Sequence, residues 1–263
     1  MLVQGSFGES DVRVGLRDEP RPTTSELDLR IERRWKEAHD LAQRERRPLF
    51  DGPVLRWLRL SQETAPDGRM RLRLEVGRGR FREFVGTNLD PEVRPDLAGG
   101  DIPWSHFGNA VGTSALVVTG DGRLVAGRRS RRVLGYAGHV HSFGGLLEAV
   151  DAADGEVDAF ASMRRELHEE LALAPAETGD LTLLGAIVDP RIHQPELLFR
   201  ARVAQDAREL RERWRGASSR DEHSELLEFP DDPRAIEAAL AAAAPVSAIG
   251  RDCFALHFAA AGR

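Results

Sequence analysis

The stretch DAFASMRRELHEELAL, residues 158–173, decides the reading of this chain. Good helix formers, with the apolar set Phe160, Met163, Leu167 and Leu171 at helical spacing, predict an amphipathic helix over 158–171. On that helix Glu166, Glu169 and Glu170 stand at i, i+3 and i+4, so three carboxylates project from one face. Like charges this close cost stability unless a cation shares them, and Mg2+, or Mn2+ in its place, prefers carboxylate and phosphate oxygens. The triplet points to a divalent metal site, although an acidic triplet alone is more often a solvated helix face.

Moving outward, Arg165 is placed i, i+4 from Glu169, where its guanidinium can orient a carboxylate. Upstream, Gly144-Gly145 closes a strand-loop and Glu148 follows closely. Further upstream, TSALVVTGDGRLVAGRRS, residues 113–130, has two apolar runs flanking Gly120-Asp121-Gly122, which predicts a hairpin. Downstream, LTLLGAIVD and ELLFRARV read as strands, residues 215–225 as a charged loop, and Asp232-Pro233 as the start of an Ala-rich helix. DCFALHFAA, residues 252–260, reads as a last helix.

The helix, the glycine pair and the strand-loop-helix setting together resemble the Nudix box. RELHEELAL, residues 165–173, matches its second half at Arg165, Glu166, Leu167, Glu169, Glu170 and Leu173. Ala172 stands where the family has a glycine that turns the chain, and alanine tolerates a left-handed turn poorly. GGLLE at 144–148 matches the opening, AVDAAD at 149–154 is inserted before Gly155-Glu156, and one extra residue separates Glu156 from Arg165. The departures fall on the loop and leave the metal-bearing helix whole.

The resemblance implies an α+β fold, a Nudix α/β/α sandwich, with Glu166, Glu169 and Glu170 holding Mg2+ against a diphosphate and Arg165 beside them. PLFDGP at 48–53, REFVGTNLD at 82–90 and GDGRLVAGRRSRRV at 120–133 resemble one subgroup, the UDP-glucose and UDP-galactose diphosphatases, over most of residues 30–260. That resemblance implies hydrolysis of a UDP-sugar to UMP and sugar 1-phosphate. Cleavage of ADP-ribose, NADH or a similar dinucleotide, and a silent nucleotide-binding module, are the alternatives.

Either Glu169 or Glu170 can take the proton of the attacking water, and Glu196, Glu222 and Glu225 are candidates from outside the box. Arg128 and Arg129 close the hairpin's second strand, where a planar guanidinium suits phosphate oxygens. Gly144 and Gly145 belong to the expected substrate loop. Phe81 and Phe84, near Asn88, offer aromatic faces and an amide to a base, with core packing as the plainer use. His139, His141 and His193 match no zinc spacing. Trp35, Trp57, Trp104 and Trp214 read as packing anchors.

The N-terminal part differs in texture. Val12, Val14 and Leu16 alternate as a strand, Ser25 with Asp28 resembles a capping box ahead of a helix to about Arg46, and LRWLRLS with RMRLRLEVG forms a hairpin around Pro66-Asp67-Gly68. A loop rich in Asp, Pro and Gly over 89–103 suggests a boundary near 105. The expected organisation is a small β-rich domain with one helix, 1–105, able to cover a nucleotide, and a catalytic domain, 106–263.

Composition narrows the class. With 43 acidic and 37 basic residues the net charge is −6, which gives no global attraction to nucleic acid or an anionic membrane. Lys36 is the only lysine, so single arginines carry little meaning. The lone Cys253 allows no internal disulfide and reads as a small buried residue. MLVQGSFGESD lacks a secretory signal pattern and no long apolar run follows, so the expected location is cytoplasmic and the expected partner a small-molecule nucleotide sugar.

Overall fold

In a computed structural model, residues 1–92 and 102–261 are described; the segment 93–101 of the expected boundary loop lies outside them. The strands are β1 (Val3–Phe7), β2 (Val12–Arg17), β3 (Pro53–Thr64), β4 (Met70–Arg80), β5 (Gly112–Val118), β6 (Arg123–Arg129), β7 (Val140–His141), β8 (Ala152–Ala153), β9 (Glu156–Val157), β10 (Asp180–Val188), β11 (Pro195–Arg202) and β12 (His223–Pro230). The α-helices are α1 (Ser25–Arg44), α2 (Phe81–Gly86), α3 (Ala159–Leu171), α4 (Ala207–Trp214), α5 (Ile236–Ala242) and α6 (Ala248–Ala261).

The fold is α+β. A seven-stranded sheet runs β1-β10-β11-β5-β6-β12, with β7 on β6, and β11 and β5 pair in parallel. Alternation along β5 divides the core as a pleated strand must. Ala115 and Val117 pack with Phe160, Met163, Leu167 and Leu171 of α3, while Leu116 and Val118 pack with Ile249, Cys253 and Phe254 of α6. Helices therefore cover both faces, the expected sandwich. A five-stranded sheet, β3-β4-β2-β9-β8, packs on the α3 side through Leu55, Trp57, Leu72, Leu74 and Val76.

The two sheets exchange strands across the boundary expected near 105. β1 pairs with β10 in the large sheet, and β9 pairs with β2 in the small one. Residues inserted into the motif are the reason for the second exchange. Ala152–Val157 turn at Asp154 and Gly155, both with positive φ, and add the β8-β9 hairpin to the small sheet.

Local signals mostly act where they were read. Thr24, one residue ahead of the expected cap, accepts the Leu27 N–H at 3.2 Å to start α1. Asp158 caps α3, and Ala172 does take the left-handed conformation at its end, with φ 55°. The charged loop ends earlier than expected, because residues 223–230 form β12 against β6. Between α1 and α2, Gly86 permits close approach: a Cβ there would lie 2.7 Å from Ile31 Cα. Among the described residues no helix is long and apolar enough to cross a membrane.

Candidate active site

A cavity of about 620 Å3 opens between residues 48–54, α2, the β6–β7 connection and the Gly144-Gly145 turn. Its position follows from the fold. β5 brings Thr113 and Ser114, β11 brings Glu196, the end of β6 brings Arg129, and the turn just before β12 brings Glu222 to the same space.

α3 lies behind the Gly144-Gly145 turn that lines this cavity. Glu170 is fully buried and accepts the Gly144 N–H at 2.8 Å, while His223 Nε2 lies 3.3 Å from its other oxygen. The Glu166 carboxylate lies against Gly145, so close that an added Cβ would stand 2.6 Å from its Cδ. These two glycines cannot be exchanged for other residues without moving something. At Gly144 φ is +154° and a Cβ would stand 1.8 Å from the Thr113 carbonyl oxygen.

Arg165 makes the i,i+4 ion pair with Glu169 that its spacing allows, but its hydrogen bonds go to Glu166 and to Asp151. Its Nη1 donates to Glu166 at 2.8 Å, Glu169 is 3.7 Å away, and its Nη2 reaches Asp151 of the inserted loop at 3.3 Å. The guanidinium therefore ties the insertion to Glu166. Glu169 is the most exposed of the three glutamates, with its side chain 37% accessible.

Burial dominates the electrostatics. It pushes the carboxyls of Glu166, Glu170 and Glu196 up to about 8 and raises those of Glu148 and Glu222. Ser114 Oγ donates to Glu196 at 2.6 Å, which partly offsets its desolvation. Burial drives His223 down to about 3, so it meets Glu170 as a neutral ring. Desolvated carboxylates beside one another are the donor chemistry that a hard divalent cation suits. Yet among the described residues no three or more His, Cys, Asp or Glu side chains are arranged to ligate a metal. The donors fit Mg2+ in kind; their present geometry is not a closed ligand set.

The remaining expected residues separate. Arg129 lines the cavity, its Nε donating to the Gly135 carbonyl at 2.9 Å. Its neighbour Arg128 faces elsewhere, binding Glu225 and the carbonyls of Gly138 and Ala243, which also takes Glu225 away from the cavity. Phe81 and Phe84 both line the cavity, with Phe81 edge-on to Trp35. Asn88 does not reach it as a ligand. Its buried amide donates to Asn109 Oδ1 and to the carbonyls of Ile192 and His193, and its oxygen accepts from Asn109 N–H at 2.9 Å. It pins the end of α2 to the turn at 189–194, a task the sequence pattern could not distinguish from base recognition. Trp57 and Trp214 are buried in the core, and Trp104 donates to the His193 carbonyl at 3.1 Å.

Tyr136, Ile192, Ser247 and His223 were not singled out from sequence. Tyr136 is the only tyrosine in the chain, but no periodicity sets it apart. It lines the cavity at φ 54° and donates to Asp189 at 2.6 Å.

No protein-family model matches the chain, and no curated protein is similar to it. Solved structures show distant likeness. A MutT NUDIX hydrolase from Burkholderia pseudomallei is 20% identical, covering 56% of this chain and 96% of that one with a TM-score of 0.37. The NUDIX domain of Shewanella oneidensis NrtR, complexed with ADP ribose, is 12% identical over 65% of this chain and 92% of that one, TM-score 0.40. A bifunctional NMN adenylyltransferase/ADP ribose pyrophosphatase from Francisella tularensis, complexed with AMP and a Mn ion, is 15% identical over 57% and 41%, TM-score 0.39. At such scores the functional reading rests on the residues of the cavity.

Proposed function

We propose that this chain is a metal-dependent hydrolase of the Nudix type that cleaves the diphosphate of a nucleoside diphosphate sugar, with UDP-glucose or UDP-galactose as substrate and UMP and sugar 1-phosphate as products. The observation that carries this reading is the seating of Glu166 and Glu170 against the Gly145-Gly144 turn, whose glycines line the large cavity. Glu166, Glu169 and Glu170 would hold the cation, which when bound neutralises the diphosphate and activates the attacking water.

The chain's own residues supply the rest. Arg129 is the cavity's guanidinium for phosphate oxygens. Glu196, raised by burial to about 8, and Glu222, also raised by burial, both line the cavity and are the candidates to exchange a proton with the attacking water. The apolar wall of Val54, Phe81, Phe84, Leu89, Leu146 and Ile192 suits a nucleobase. Most of it comes from residues before 105, so the N-terminal unit is proposed as the nucleotide cover.

Product chromatography after incubation with UDP-glucose, ADP-ribose and NADH, in Mg2+ or in EDTA, tests the proposal. UMP and glucose 1-phosphate formed only with Mg2+ support it. Cleavage of ADP-ribose or NADH with UDP-glucose left intact replaces the substrate and keeps the chemistry. A second reading, a silent nucleotide-binding module, is favoured by the absence of a closed ligand set among the described residues. Nucleotide binding with no product from any substrate would select it.

A further inference from the structure

His141 is 9% exposed and lines the cavity. Its Nδ1 lies 2.7 Å from Oγ of the fully buried Ser247, which also accepts the Gly250 N–H at 2.9 Å. A serine hydroxyl has one proton to donate, and among the described residues its acceptor is His141 Nδ1. Were Nδ1 protonated, the serine would face two donors and its own proton would have no acceptor, which buried groups avoid. Hydrogen-bond satisfaction therefore puts the ring proton on Nε2, the nitrogen not engaged by Ser247, in a ring that lines the cavity.

Two further features hold that arrangement. Tyr136 stacks on the ring at 6.1 Å and 18°, and its hydroxyl is already committed to Asp189. Burial, with Arg129 nearby, keeps the imidazole neutral, its pKa well below the ordinary value. A fixed neutral donor suits a neutral acceptor oxygen, whereas the anionic diphosphate has Arg129. The apolar wall around Phe84 offers a hydroxylated group no hydrogen bonds.

We propose that His141 is a specificity-determining residue whose Nε2–H, fixed by Ser247, donates to a hydroxyl oxygen of a sugar attached to the diphosphate. This rests on the proposed reading of the cavity as a diphosphate-ester site. The substrate class would have an aromatic base on the apolar wall and a polyhydroxylated group beside His141.

The test compares kcat/KM for UDP-glucose and its 2-, 3-, 4- and 6-deoxy analogues, with Mg2+, in the wild type, His141→Gln and His141→Asn. The expected result is a loss of about tenfold on one deoxy analogue, the size of one neutral hydrogen bond. That discrimination is kept by His141→Gln, whose amide reaches the Nε2 position, and abolished by His141→Asn. Equal losses on all substrates in both variants mark a structural role and overturn the inference. So does a wild type that cleaves UDP-glucose without discriminating any analogue, and the hydrolase reading then survives.

If nothing is cleaved, calorimetric binding of UDP-glucose and the deoxy analogues applies the same comparison, so the failures are separable. Long-range 1H–15N NMR of His141 in the wild type needs no variant to fold. An Nε2–H tautomer supports the inference, and an Nδ1–H tautomer overturns it.

Discussion

The Glu166 carboxylate rests directly on Gly145: a Cβ at that glycine would lie 2.6 Å from Glu166 Cδ. The side chain that would have to move is flexible, so Gly145→Ala is expected to cost about 1 kcal/mol of stability or less while lowering turnover about 100-fold through a misplaced carboxylate. Gly144→Ala meets backbone instead, at the Thr113 carbonyl and at positive φ, and should cost about 3 kcal/mol. Urea unfolding beside steady-state kinetics separates the two.

Asn88 is a clasp. Its amide joins the end of α2 to Asn109 and to the turn that carries Ile192. Asn88→Ala takes the donor from the Ile192 carbonyl and Asn109 Oδ1 and the acceptor from Asn109 N–H, while the His193 carbonyl keeps Trp104, so a loss of about 3 kcal/mol in chemical denaturation is expected. The preference among uridine and adenosine diphosphate sugars should not change, as it would if Asn88 read the base.

Phe81, by contrast, belongs to the cavity wall. Its removal takes away one aromatic face, and Phe81→Ala should raise KM for the nucleotide about tenfold with kcat nearly unchanged. A fall in kcat alone would move the base elsewhere.

Glu196 gives a pH signature. Burial raises its carboxyl to about 8, so the folded state binds its proton more tightly than the unfolded chain does. Its stabilising contribution is complete below the ordinary glutamate value of 4.5 and is lost as pH rises through about 8. Glu196→Gln removes that proton dependence. In EDTA, its melting temperature should exceed that of the wild type at pH 9 and differ little at pH 5; calorimetric scans at both pH values check this.

The sandwich was legible because its signals are local. The 158–171 helix, the Gly120-Asp121-Gly122 hairpin and the apolar strands at 181–189 and 196–203 each carry their own periodicity. β1 and β12 were not, since Val3–Phe7 and His223–Pro230 become strands by pairing with segments far away in sequence. The same distinction governs the site. Glu166 and Glu170 announce themselves by helical spacing, and Arg129 by its place at a strand end. Asn88 and Arg128 looked equally suitable, but their partners, Asn109 and Glu225, are visible only in three dimensions. Tyr136 and the His141–Ser247 pair depend on contacts spanning 53 and 106 residues, beyond the reach of any local pattern.

The most direct test of the central claim is the initial rate of UDP-glucose cleavage as free Mg2+ is varied, for the wild type and for Glu170→Gln, which keeps an acceptor for the Gly144 N–H. The account predicts a saturable Mg2+ dependence in the wild type and a rate at least about 100-fold lower in the variant. A rate independent of Mg2+, or one that Glu170→Gln leaves unchanged, would contradict it.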